Sequence, residues 1–180
     1  RDAHHDALTS LPNRRQLAED LRGVLAEALA AARPMAIAMI DIDYFKRLND
    51  AHGHKVGDVT LQRVAETLRT ALRAEDRLYR YGGEEFLVVF TDADAKAGSA
   101  LAERLRAAVE HMPLLVDQGD AASPVTISIG VAAFPGDGEH LEELIDTADR
   151  AMYASKEAGR NLVTLAGDVT DHWTRDHRAA

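Results

Sequence analysis

The chain of 180 residues has no cysteine, a single tryptophan, five prolines and only 5% aromatic residues. Without cysteine there is no disulfide, no thiolate metal site and no cysteine nucleophile, and the composition suits a reducing compartment, so a cytoplasmic location is expected. Long apolar runs are also missing. The longest, Met35 to Ile40, is far too short to cross a bilayer, so no direct membrane insertion is expected of this sequence. A third absence is an excess of basic charge. The net charge is −9 and the pI is near 5.3, which argues against a general electrostatic grip on nucleic acid, while local basic clusters can still hold a small phosphorylated ligand. The chain opens on Arg1 rather than Met and carries no visible signal peptide. The expectation is a piece of a longer protein, with any membrane anchor in segments outside this sequence.

What is present is enough for one globular domain: 46% hydrophobic and 28% charged residues. Leu17, Leu21, Val24, Leu25, Ala28 and Leu29 recur at helical spacing, with Asn13 available as a cap, and predict a helix over 13–32 that Pro34 closes. M-A-I-A-M-I at 35–40 reads as a strand covered on both faces. A short helical turn over 45–50 and a glycine-bearing loop, H-G-H-K-V-G-D, follow. Leu61, Val64, Ala65, Leu68 and Leu72 mark a second long helix. Residues 77–81 and 85–90 predict two strands joined at Gly82-Gly83, a hairpin signal because both glycines can take positive φ. A helix over 94–110, a strand in V-T-I-S-I-G-V, a helix carrying Leu141, Leu144, Ile145, Ala148 and Met152 to Gly159, and a short strand over 162–165 complete the series. Strands joined by both hairpins and helices predict an α+β fold, a central, mostly antiparallel sheet flanked by helices. One domain is expected over 1–166, with its core at 6–165, followed by a mobile tail at 167–180 that holds Trp173 without periodicity.

The stretch R-Y-G-G-E-E-F-L-V-V-F, residues 80–90, raises a physical question. Two adjacent acids open a strongly apolar strand, although acids are depleted in strands. Asp41 and Asp43 end the earlier strand two residues apart and so project to one side. If the two strands are neighbours, three or four carboxylates converge, and their repulsion is costly unless a cation neutralises it. Mg2+ takes oxygen ligands and is usually held by one or two carboxylates together with substrate phosphates. Asp43 reads equally well as a cap for the 45–50 turn. His4, His5, His172 and His177 sit in terminal segments and read as solvated residues rather than a metal site.

Several motifs occur in order: D-A-L-T-S-L-P-N-R-R at 6–15, D-x-D-x-F-K-x-x-N-D at 41–50, G-H-x-x-G-D at 53–58, R-Y-G-G-E-E-F at 80–86, S-I-G-V at 128–131 and M-Y-A-S-K-E-A-G-R-N at 152–161. This set resembles the GGDEF family, the diguanylate cyclases, in its G-G-E-E-F form, over roughly residues 6–165. The one departure is Ser155, where alanine is usual before the lysine.

The resemblance implies a fold like the palm of nucleotidyl cyclases and polymerases, and condensation of two GTP molecules into cyclic di-GMP with release of pyrophosphate. It implies a Mg2+ site, two ions per GTP site with Mn2+ able to substitute, made by Asp41, the main-chain carbonyl of Ile42, Glu84 and Glu85, with Glu84 as the candidate proton acceptor. Asn49 and Asp58 match the guanine-reading pair, which agrees with the donors guanine presents and disfavours ATP. His54, Phe45, Lys46, Gly82 and Gly83 match substrate-contacting positions, Phe45 reading mainly as packing. Lys156 and Arg160 match the phosphate grip, against the plain reading of a cationic last helical turn. Asp6 is expected to contact Arg14 or Arg15. R-A-E-D at 73–76 matches the family's inhibitory site, where Arg73 and Asp76 would hold the product and Arg104 would complete the site from a second domain; the plain reading is a surface ion pair. Expected partners are GTP, cyclic di-GMP, a second copy of the domain for catalysis and an upstream sensor domain. A non-catalytic receptor for GTP or cyclic di-GMP is the competing class, and loss of an acid or of the guanine pair would favour it. Here Asp41, Asn49, Asp58, Glu84 and Glu85 are all present.

Overall fold

The apolar run beginning at Met35 becomes the middle strand of a sheet. In this computed structural model, which describes residues 3–113 and 124–169, β1 (Met35–Ile42) is buried along its whole length. It pairs antiparallel with β3 (Glu85–Thr91) on one side and β4 (Ile127–Phe134) on the other. A strand hydrogen-bonded on both edges and covered on both faces must be apolar throughout, as this one is until Asp41. The outer strands are β2 (Arg77–Arg80), antiparallel to β3, and β5 (Val163–Leu165), parallel to β4, giving the order β2-β3-β1-β4-β5. The predicted α+β class, with its mostly antiparallel sheet, is the observed one.

Helices cover the two faces. Alternation along β1 sends Ala36, Ala38, Ile40 and Ile42 to one side, where they pack with Phe45 of α2 (Phe45–His52), Leu61, Val64 and Leu68 of α3 (His54–Ala71), and Leu105 and Val109 of α4 (Ala95–Glu110). Met35, Ile37 and Met39 face Leu17 and Leu21 of α1 (Arg14–Ala30) and Leu144, Ala148 and Met152 of α5 (Leu141–Glu157). Gly130 brings α5 close to β4: a Cβ there would collide with the main chain at Ala148 and Met152. Buried Ser155 fastens the end of α5, donating to the Ile129 carbonyl at 2.8 Å and bonding Thr164 Oγ1 at 2.7 Å. The departure from alanine at this position is therefore a tie between α5, β4 and β5.

Several local expectations are refined. The predicted loop H-G-H-K-V-G-D is largely helical, because α3 already starts at His54. Gly53, at φ +83°, makes the break between α2 and α3. Gly57 lies inside α3 and serves close helix approach, since a Cβ would strike Asn49 Oδ1 and lie 3.2 Å from Phe45 Cζ. Asn13 does cap α1, accepting from the amides of Arg15 and Gln16, but Leu29, counted in its apolar face, is 69% exposed. The Gly82-Gly83 hairpin forms without positive φ at either glycine; a Cβ on Gly82 would meet the end of the Glu85 side chain, which would have to shift. His4 is not simply solvated and sits 3.6 Å from Glu19. A 3-10 turn at Ala166–Asp168 opens the segment expected to be tail; His172, Trp173 and His177 lie outside the described residues.

Candidate active site

Sheet register assembles the acids. Asp41 at the end of β1 is the direct partner of Glu85 at the start of β3. The Ile42 amide donates to the Glu84 carbonyl at 3.2 Å, so all four predicted metal-site residues lie at one junction. Asp41 is buried. Burial pushes its carboxyl above the ordinary range; Lys156 pulls it back, and Asp43 and Asp149 push it further up. Burial also raises Glu84 and Glu85, followed in each case by the charge of Asp41. The counter-charge is Lys156, whose Nζ lies 2.9 Å from Asp41 Oδ2. Among the described residues, no three carboxylates or histidines close into a metal cage. An all-oxygen, partly open set with raised carboxyls nevertheless fits Mg2+, which leaves coordination places to phosphates and water.

The hairpin carrying these acids is clamped from below. Arg80, buried in β2, donates through Nε to the Gly82 carbonyl at 2.6 Å and through Nη2 to the Gly83 carbonyl. Its guanidinium lies over the Phe86 ring at 5.3 Å and 3.6 Å from Asp6. The expected partner of Asp6 was Arg14 or Arg15; the structure substitutes Arg80. Arg14 instead stacks on Tyr81 at 4.7 Å, and Arg15 pairs with Glu19. Gly83 is exposed with open space around it. On the α1–α5 side of Glu85 opens a cavity of about 450 Å³ lined by Leu17, Tyr81, Ile145 and Asp149 among others.

Asp43 is not the cap weighed for it. Its carboxylate accepts from Thr126 Oγ1 at 2.7 Å, Ser128 Oγ at 2.6 Å and the Asn161 amide at 3.0 Å, while α2 has no side-chain cap at all. These bonds place the turn after α5 beside the end of β1. Lys156 and Arg160 thus both reach the site, though from different contacts. Arg160 stacks on the Tyr44 ring at 4.6 Å, with Arg47 at 5.2 Å from the same ring.

On the other side of Asp43 lie the residues matched to guanine. Asn49 Oδ1, on α2, is buried and has no hydrogen-bond partner among the described residues. Asp58 and His54 are exposed on α3, Lys46 is exposed on α2, and Phe45 is core. The R-A-E-D segment is closed on itself: Arg73 donates to Asp76 at 3.1 and 2.8 Å and to the Thr91 carbonyl at 3.1 Å. Arg104 bonds the Ala71 carbonyl of its own domain at 2.8 Å, which puts it beside that segment.

Three participants have no role in the sequence reading: Tyr44, Arg80 and Asn161. Tyr44 offered a signal, an aromatic residue next to a catalytic motif that turns out to be half-exposed. Asn161 offered none, because its partners Asp43, Arg106 and Glu110 lie on distant segments; Arg80 bonds the nearby Gly82 and Gly83 carbonyls, but its pairing with Asp6 is a long-range contact.

Residues 3–162 match the family described as "Diguanylate cyclase, GGDEF domain". Diguanylate cyclase A of Treponema denticola is 45% identical over 132 residues, 73% of this chain and 35% of the relative. The response regulator PleD of Caulobacter vibrioides is 41% identical over 158 residues, 88% of this chain and 35% of the relative. The GGDEF domain of DgcB from Caulobacter crescentus, solved in complex with c-di-GMP, superimposes with a TM-score of 0.83 at 35% identity, covering 92% of this chain and 94% of that one. The active GGEEF domain of a diguanylate cyclase from Vibrio cholerae does so with a TM-score of 0.78 at 28% identity, covering 86% and 96%. The chain spans about a third of the length of these two curated relatives. By its matched span, its fold and its motifs, the chain belongs to the GGDEF family of diguanylate cyclase domains.

Proposed function

We propose that this domain condenses two GTP molecules into cyclic di-GMP. The observation that carries the reading is the pairing of Asp41 with Glu85 across the sheet, with Glu84 next in sequence and the Lys156 ammonium 2.9 Å from Asp41. Buried acids around one cation are costly in a resting protein and are the donor set a metal-nucleotide complex needs. Asp41, the Ile42 carbonyl, Glu84 and Glu85 would hold Mg2+, which would supply charge neutralisation at the reacting phosphate.

The chain's own residues account for the rest. A ribose 3′-hydroxyl of one GTP attacks the α-phosphate of the other, forming an O3′–P bond and breaking the bond to the β-phosphate, so that pyrophosphate leaves with the electron pair; the reciprocal attack closes the ring and releases a second pyrophosphate. Glu84 takes the hydroxyl proton. Asn49 Oδ1, buried and lacking a donor, and the exposed carboxylate of Asp58 accept from the N–H groups of guanine. His54, Lys46 and the open backbone at Gly83 border the nucleotide. Lys156 and Arg160 hold the phosphates.

One such site serves one GTP, so two domains face each other across a two-fold axis. Product returns to Arg73 and Asp76, a guanidinium able to grip phosphate and a carboxylate able to accept from guanine, with Arg104 adjoining. A sensor domain elsewhere in a longer chain would set the local concentration of the domain. Incubation with GTP and Mg2+ followed by chromatography tests the reading. Appearance of cyclic di-GMP and pyrophosphate supports it, and tight GTP or cyclic di-GMP binding without turnover replaces it with a receptor.

A further inference from the structure

The turn after α5 has an unusual backbone. Gly159, Arg160 and Asn161 follow one another at φ +123°, +66° and +50°. Residues with a Cβ rarely adopt this region, and successive ones persist only where their surroundings hold them. The hold is on Asn161. Its amide donates to Asp43 Oδ2 at 3.0 Å, its Nδ2 donates to Glu110 Oε1 at 2.8 Å, and its Oδ1 accepts from Arg106 Nη1 at 2.6 Å. Each anchor is itself held. Asp43 is bonded by Thr126 and Ser128, and Arg106 is paired with Glu103 and Glu110 at 2.7 and 2.8 Å.

Only part of this turn ends the helix: the Arg160 amide donates to the Ser155 carbonyl at 3.0 Å and Arg160 Nη1 to the Lys156 carbonyl at 3.3 Å. The Ala158 amide caps α5 on its own carbonyls, and the Asn161 side chain bonds α4 instead. What the turn presents is Arg160, whose guanidinium lies over the Tyr44 ring. Tyr44 directly follows Asp43 and also has positive φ, +56°. Two adjacent residues therefore hold the turn, Asp43 by its carboxylate on the Asn161 amide and Tyr44 by its ring against the Arg160 guanidinium.

We infer that Asn161 is a positioning residue for the phosphate grip. Tied to Asp43 and to the Arg106–Glu110 pair, it sets the backbone of Arg160 so that the guanidinium waits over Tyr44 for the polyphosphate of a nucleoside triphosphate. Ordering the arginine before binding removes a cost otherwise met on association. The inference rests on the reading that this site takes GTP.

The test compares Asn161→Gly, which tolerates the positive φ and deletes the amide, with Arg160→Ala and the double variant. Binding of the non-cyclising α,β-methylene analogue of GTP is measured by calorimetry, and binding of guanosine by NMR titration. Asn161→Gly should weaken the analogue about tenfold and change guanosine by less than about twofold, and the double variant should bind no more weakly than Arg160→Ala, as expected of a residue acting through another. Wild-type affinity in Asn161→Gly, equal loss of both ligands, or additive losses in the double variant would overturn the inference alone. A wild-type protein that binds neither ligand would overturn the GTP reading with it. Should Asn161→Gly fail to fold, Arg106→Met removes the donor to Asn161 Oδ1 from outside the site and is held to the same outcomes.

Discussion

The Lys156 ammonium sits 2.9 Å from the Asp41 carboxylate, joining the end of α5 to the end of β1. A residue matched to the phosphates thus also serves as the counter-charge of the acids. Lys156→Met should lower stability by about 1–3 kcal/mol at pH 8, less than for a fully buried pair because the lysine keeps a quarter of its side chain exposed. The sign with pH follows from the raised carboxyls of Asp41, Glu84 and Glu85. Between their unfolded and folded pKa values the native state binds more protons, so stability falls as pH rises. Loss of Lys156 pushes these groups higher still, and the deficit should shrink as pH falls toward 5. Thermal unfolding across that range checks this, and a constant deficit would contradict it.

Glu84→Gln should cut cyclisation by at least about a hundredfold, the lower end for loss of a general base. The same change removes one of several crowded charges. The ligand-free variant should therefore unfold at a higher temperature than the wild type at neutral pH. Added Mg2+ should stabilise the wild type more than the variant, and EDTA should abolish that difference. A variant less stable than the wild type without metal would make Glu84 a structural residue.

Gly57→Ala weighs two effects of opposite sign. Alanine in a helix interior is favoured over glycine by about 1 kcal/mol. The added methyl, however, strikes Asn49 Oδ1, and overpacking of this kind costs about 1–3 kcal/mol. The net expectation is a small loss of stability and a raised KM for GTP with kcat less affected, because the displaced group is the proposed guanine acceptor. Steady-state kinetics decide; an unchanged KM would detach Asn49 from base recognition.

Arg73→Ala leaves the acids and the phosphate grip untouched. Inhibition by cyclic di-GMP should weaken by about tenfold or more, the worth of charge-assisted hydrogen bonds to one guanidinium, with initial turnover essentially that of the wild type. Overlapping inhibition curves would reduce the Arg73–Asp76 contact to a surface pair.

The features legible from sequence are those that nearest neighbours decide. Asn13 caps α1 through amides two and three residues on, and the two-faced burial of β1 is written in its unbroken apolar run. Gly57 misled because a glycine at a helix–helix contact has the same local signature as a glycine in a loop. Leu29 kept its helical spacing yet found no partner, since periodicity says nothing of how far a covering surface extends. In the site, the motifs named Asp41, Glu84, Glu85, Lys156 and Arg160, but not who touches whom. The contacts Asp43–Asn161 and Asp6–Arg80 join segments far apart in the chain, and no spacing rule reaches that distance. That Asp43 ties Thr126, Ser128 and Asn161 together rather than capping α2 is visible only in three dimensions.

The register of β1 on β3 has one further consequence. Asp41 meets Glu85 only if every pair from Met35–Thr91 onward is correct. Side chains alternate along a strand, so a slip by one residue would turn Asp41 into the apolar layer around Phe45 and leave Ile40 or Ile42 beside Glu85. Such a product would fold poorly and would carry no acid pair at all. If the domain cyclises GTP as proposed, a preparation containing mispaired chains would show a lower active fraction, not a population of slower enzymes.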